Sequence, residues 1–172
     1  MIHQDAMRLP VLGPSGKGRV TPHKGYIILH PGSGSRKKNI PFYLWKKLFL
    51  EIRTIVPESL RPIFLLGPAE LDILEEIKEA KLKAQTLIST SIEDLACYLK
   101  RAALFVGHDS GPTHMAAMIG IPTVSLFKAT DPVVWHPLGP SVKVLEGTDD
   151  ELMDGVISHV KDFFSQGPFA VN

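Results

Sequence analysis

Val106-Gly-His-Asp-Ser-Gly-Pro-Thr-His-Met-Ala-Ala-Met-Ile-Gly-Ile-Pro-Thr-Val-Ser-Leu-Phe127 is the stretch that decides the fold. Ala103 to Val106 reads as a buried strand, and a turn of small polar residues follows it. An Ala- and Met-rich helix starts at Gly111; Gly120 and Pro122 close it before a second apolar strand, Thr123 to Phe127. This is one β-turn-α-β unit with its polar residues at the turn. In an open parallel sheet, ligands sit outside the carboxyl ends of the strands, where helix N-termini offer unpaired N–H groups to anions. His108, Asp109, Ser110, Thr113 and His114 fall where an anionic ligand is expected.

Outward from this unit the alternation continues. Tyr26 to Leu29 reads as a strand, His30 to Asn39 as a turn and Pro41 to Ile55 as a helix. Pro62 to Leu66 is a second strand, Pro68 to Lys81 a second helix and Gln85 to Ile88 a third strand. Ser91, with Glu93 and Asp94 behind it, opens a helix to about Arg101. After Phe127 come a loop through Asp131, Pro132, Trp135 and Pro137, a strand over Val142 to Leu145 and a helix from Asp149 to Phe164. The pattern predicts an α/β fold: a doubly wound, Rossmann-like parallel sheet covered on both faces. Residues 26–165 form one domain in this reading, with 1–25 a linker or tail and 166–172 a C-terminal tail. Trp45 and Trp135 read as packing residues.

Composition bounds the class. With 172 residues and 44% hydrophobic content, the chain can bury a sizeable core. A net charge of +1 supplies no field for nucleic acid or an anionic membrane surface. One cysteine, Cys97, excludes a disulfide framework and a thiolate zinc site, and suits a reducing, cytoplasmic setting. No apolar run approaches the roughly 20 residues of a membrane span, so membrane association is expected to be peripheral at most.

The turn Gly32-Ser33-Gly34-Ser35-Arg36-Lys37-Lys38 is the second chemical feature. Its glycines let a phosphate approach the backbone, its serines offer hydroxyls, and its lysines a point charge without a metal. A solvated basic loop explains the segment alone equally well. Its place beside the turn at Asp109 to His114, on neighbouring central strands, favours the ligand site. Other motifs fail on spacing: Gly16-Lys17 lacks the earlier glycine and following Ser or Thr of a P-loop, and Gly107 stands three residues before Ser110, not two as in a hydrolase elbow. His108, Asp109 and His114 lack a fourth metal ligand by spacing. His114 reads equally as a packed helix-face residue or as a donor to phosphate or sugar. Glu70 reads as a first-turn acid, with ribose binding as its alternative role.

His30-Pro31-Gly32-Ser33-Gly34, Lys38-Asn39-Ile40-Pro41, Leu66-Gly67-Pro68-Ala69-Glu70, Asp109-Ser110-Gly111-Pro112-Thr113-His114 and Phe127-Lys128-Ala129-Thr130-Asp131-Pro132 occur in the order seen in glycosyltransferase family nine, the ADP-heptose:lipopolysaccharide heptosyltransferases. From Tyr26 to Phe164 the chain resembles the C-terminal, nucleotide-sugar-binding half of such an enzyme, one of the two Rossmann-like domains of a GT-B architecture. The resemblance implies that Ser33, Gly34 and Lys38 hold the donor diphosphate, Glu70 the ribose and the backbone around Thr90 the base. It implies that Asp109 meets the sugar hydroxyls while Ser110, Gly111 and His114 line the phosphate side. No cofactor or metal is implied; the donor is a nucleotide-diphosphate sugar, expected to be ADP-heptose.

Two segments depart from the family pattern. Lys38-Asn39-Ile40-Pro41 has no aromatic where Lys-Arg-Trp-Pro or Lys-His-Trp-Pro is usual, and Lys128-Ala129 replaces Gly-Pro, which predicts a changed donor-site shape. The resemblance places the acceptor site and the general base in an N-terminal domain, and nothing before Tyr26 is long enough to fold as one. The expectation is therefore half a cleft at the inner face of the cytoplasmic membrane. It binds donor without transferring, and meets a lipopolysaccharide or glycolipid acceptor through the other domain. The rivals are a non-catalytic binding or assembly module and half of another GT-B enzyme, such as a UDP-sugar transferase or epimerase.

Overall fold

The computed structural model describes residues 25–166. The expected N-terminal tail up to residue 24, the P-loop look-alike within it and the last six residues lie outside the described residues. Twelve elements alternate in order: β1 (Gly25–His30), α1 (Phe42–Ile55), β2 (Leu60–Leu66), α2 (Leu71–Glu79), β3 (Thr86–Ile88), α3 (Ile92–Leu99), β4 (Ala102–His108), α4 (Gly111–Met118), β5 (Thr123–Phe127), α5 (Pro132–Trp135), β6 (Val142–Glu146) and α6 (Asp149–Gln166). Single 3-10 turns stand at Arg36–Lys38 and Pro68–Glu70.

All six strands are parallel in the order β3-β2-β1-β4-β5-β6. The chain winds outward from β1 to β3, then returns to the centre and winds the other way from β4 to β6. The reversal lies between β1 and β4, the place where doubly wound sheets leave a crevice at the strand ends. Both faces are covered, so the central strands are almost continuously apolar. Ile27, Leu29, Leu104, Val106, Val124 and Leu126 pack with α1, α2 and α6. Ile28, Ile63, Leu65 and Phe105 pack on the other face with α3 and α4. Pro62 is tolerated inside β2 because it pairs with β1 only, and β3 joins later, at Phe64.

Local chemistry sets the ends. Ser91 Oγ accepts from Asp94 N at 3.1 Å and caps α3. Gly120 stops α4 with φ of 86°, a conformation in which a side chain is strained. The helix expected over Pro68 to Lys81 is a 3-10 turn followed by α2 ending at Glu79, with Lys81 at φ 48° breaking it. The expected loop after β5 contains α5, because Asp131 Oδ1 accepts from Val133 N at 2.8 Å and Pro132 suits the first helical position. Trp45 is fully buried, as expected, but Trp135 is not a packing residue: it is 54% exposed, since one short turn of helix leaves it nothing to pack under. Among the described residues no helix is long and apolar enough to cross a membrane.

Candidate functional site

A cavity of about 300 Å³ opens at the carboxyl edge of the sheet, on the α3 and α4 face. Its wall combines His30 at the end of β1, Ser33 and Gly34 beyond it, Gly67 and Glu70 after β2, Ser89 after β3 and Ser110 with Gly111 at the start of α4; Leu95 of α3 closes the apolar side. Four strand ends thus converge on one space at the reversal of strand order.

Each loop is shaped by its own side chains. Ser33 Oγ lies 2.7 Å from both Ser35 O and Asn39 Oδ1 and 3.3 Å from Ser35 N, which folds the β1 loop back on itself. Glu70 Oε2 accepts from Gly67 N at 2.7 Å, closing the β2 turn. A Cβ on Gly32 would overlap the Glu70 side chain, so a glycine is required for these two loops to touch. Ser110 makes no capping bond to α4; its Oγ pairs with Thr113 Oγ1 at 3.1 Å, leaving the first N–H groups of the helix uncapped. A Cβ on Gly34 or Gly111 would meet nothing within 4 Å among the described residues, so the backbone of both is approachable.

Beside the cavity stands a charged network on Asp109, which is 6% exposed. Its Oδ2 accepts from Lys38 Nζ at 2.9 Å and from Thr130 Oγ1 at 2.8 Å, and its Oδ1 lies 3.2 Å from His114 Nε2. Burial opposes ionisation of Asp109, but the bonds from Lys38, Thr130 and His114 and the lysine charge outweigh it and hold the carboxyl below its ordinary value.

Ser33, Gly34, Glu70, Ser110 and Gly111 therefore share the cavity wall, while Lys38, Asp109 and His114 form the adjoining network. Thr90 is outside the wall, with its hydroxyl on Asp94 Oδ2 at 3.0 Å; its neighbour Ser89 is the lining residue. His108 and Thr113 do not serve an anion site. His108 is fully buried on the opposite face, accepting from Ile40 N at 3.0 Å and packed edge-on to Trp45, and Thr113 is spent on the His108 carbonyl. The missing aromatic at Ile40 is a core position, 3% exposed under α1. Lys128 is held by Asp149 at 2.7 Å. Among the described residues no three His, Cys, Asp or Glu side chains gather as a metal cage. His30 and Thr130 stand in the quoted motifs with no role of their own, and nothing in the sequence marks Leu95; only the period-2 alternation from Ile28 to His30 signals that the histidine shares the Ile28 face.

A parallel doubly wound sheet with a cavity at its switch point defines a Rossmann-like α/β domain. Residues 8–156 match the profile of glycosyltransferase family 9 (heptosyltransferase), and the chain belongs to that family. It is 46% identical over 149 residues to lipopolysaccharide heptosyltransferase 3 of Escherichia coli, covering 80% of this chain and 42% of that one. To lipopolysaccharide heptosyltransferase 1 of Campylobacter coli it is 32% identical over 123 residues, covering 67% and 35%. The chain thus spans less than half the length of these relatives. The fold is shared with E. coli heptosyltransferase WaaC solved with ADP, at a TM-score of 0.68 and 22% identity over 83% of this chain and 45% of that one. E. coli ADP-heptose lps heptosyltransferase II gives 0.66 and 18%, over 80% and 47%.

Proposed function

We propose that this domain binds the nucleotide diphosphate of a nucleotide-sugar donor, ADP-heptose, and forms the donor side of a transferase that moves heptose onto a lipopolysaccharide core. Family membership and the ADP bound by WaaC support the reading. The observation that carries it is the meeting of two approachable glycines, Gly34 and Gly111, with the uncapped start of α4 on one cavity wall.

In this reading the diphosphate lies over Ser33, Gly34, Ser110 and Gly111, where amide donors and the helix dipole stabilise its charge. Glu70 takes the ribose, and the base lies toward Ser89 and the backbone around Thr90. Lys38 is partly exposed and already paired with Asp109. An arriving phosphate draws the ammonium toward itself, which releases an Asp109 oxygen to accept from a sugar hydroxyl. Donor charge and sugar recognition are thereby linked through one ion pair. As the sugar leaves, Lys38, His114 and the α4 amides stabilise the growing charge on the diphosphate, a task that asks for no metal. The acceptor and the general base come from the other side of the GT-B cleft, at the cytoplasmic face of the membrane.

The test is calorimetric titration of the full chain with ADP, UDP and GDP at low salt without added metal. ADP binds in preference to the others, and Lys38→Ala weakens it by about 1.5–3 kcal/mol, the range for a hydrogen bond to a charged group. A folded chain that binds none of the three overturns the reading.

A further inference from the structure

His30 is buried, lines the cavity and has no part in the roles above. Its Nδ1 lies 2.9 Å from Leu65 O. A carbonyl only accepts, so Nδ1 carries the hydrogen and Nε2 of the neutral ring carries a lone pair. Burial is the main influence on the ring and disfavours its protonation, against the Leu65 bond and the nearby Glu70 charge. Nε2 makes no hydrogen bond with the described residues, yet it is not among the sealed, partnerless nitrogens as His108 Nδ1 is. It remains open to the cavity.

The cavity wall therefore carries two unlike kinds of group. Gly34 and Gly111 offer backbone N–H donors, whereas His30 Nε2 and the Glu70 carboxylate offer acceptors. A phosphate has no proton to give at neutral pH and is repelled by a lone pair beside a carboxylate. What fits these two acceptors is a group rich in O–H donors, and in a nucleotide that group is the pentose.

We propose that His30 is a binding residue whose Nε2 accepts a hydrogen bond from a hydroxyl of the ligand's pentose, alongside Glu70. The inference rests on the nucleotide reading above and adds a second acceptor that selects ribose over its deoxy forms.

The test pairs His30→Asn with two probes, ADP and 2′,3′-dideoxy-ADP. The Asn amide can still donate to Leu65 O but puts nothing where Nε2 was. ADP affinity falls roughly three- to tenfold in the variant, the span of one neutral hydrogen bond, while 2′,3′-dideoxy-ADP binds wild type and variant alike. Equal loss for both probes, or loss for neither, overturns the inference and leaves the nucleotide reading standing. A wild type that ignores ADP overturns both. If the variant fails to fold, ¹⁵N NMR of wild-type His30 decides: the Nε2 resonance moves with ADP and not with the dideoxy probe, and identical responses overturn the proposal.

Discussion

His30 and His108 end two neighbouring strands, with His30 in register with Gly107, yet their surroundings are opposite. His108 continues the Leu104 and Val106 side of β4 and enters the packed layer beneath α1, where Trp45 lies 5.4 Å away and Ile40 N donates to its Nε2. His30 continues the Ile28 side of β1 and meets a cavity, because α3 and α4 leave room at the strand ends. One step of the pleat separates a structural histidine from a candidate ligand-binding one. Residue type at a strand end says little until the face is known; the helix above it decides the role.

The largest expected effect is on the sealed side. Trp45→Ala removes a fully buried ring that packs against His108. It should cost about 3–5 kcal/mol in denaturant unfolding, the usual range for a large aromatic in a core. Nucleotide affinity per folded molecule should not change. Trp45→Phe keeps a ring and removes an indole N–H that has no hydrogen-bond partner among the described residues, so it should cost far less. A fall in ADP affinity equal to that of Lys38→Ala would show that the two faces are coupled.

A pH scan sharpens the same contrast. Burial, then the neighbouring His30, lowers the His108 pKa to about 4 against an opposing pull from the Gly32 carbonyl. The unfolded chain protonates this ring near 6.5 and the folded one near 4, so between those values the unfolded state binds more protons. Stability from His108 is complete above pH 6.5 and is lost as pH falls toward 4, by about 3 kcal/mol at 1.36 kcal/mol per unit. His108→Gln, whose amide oxygen can still accept from Ile40 N, should flatten that part of the curve. An unchanged slope would return the titration to other groups. Asp109 acts in a separate window: its lowered pKa supports the fold above its ordinary value near 3.8 and is lost only as pH falls through the lower, folded value.

The strands and helices were legible because breakers and apolar runs mark them directly: β5 spans the predicted Thr123 to Phe127, and Gly120 with Pro122 ends α4 where expected. The loops after β1 and β4 were legible as a pair through their glycines. The face of His108 was not: the apolar run that marks β4 ends at Val106, and the small and polar residues after it hide the last two positions of the strand. Thr130 was missed because its partner Asp109 lies 21 residues away, joined by folding and not by any local period. The same separation in sequence hides the Lys38–Asp109 pair, 71 residues apart. α5 was hidden by a run of loop-forming residues, although Asp131-Pro132 is a helix start.

Two glycines four residues apart give the smallest and most discriminating test. A Cβ at Gly107 would stand 2.8 Å from Phe105 Cε1 and 3.0 Å from Thr113 Oγ1, inside packed protein. Gly107→Ala should therefore cost about 1–3 kcal/mol of stability, the usual penalty for overpacking. Gly111→Val adds a larger side chain at a position where a Cβ meets nothing within 4 Å among the described residues. Its thermal midpoint should move by only a few degrees, since a β-branched residue in a helix costs less than about 1 kcal/mol. Its isopropyl group, however, stands over the uncapped amides that a phosphate must reach. ADP affinity should fall roughly tenfold, about 1.4 kcal/mol, through lost contact with those donors. A Gly111→Val chain that binds ADP as tightly as wild type would move the phosphates away from α4 and toward the β1 loop alone, because only the loop amides and Lys38 would then be left to hold them.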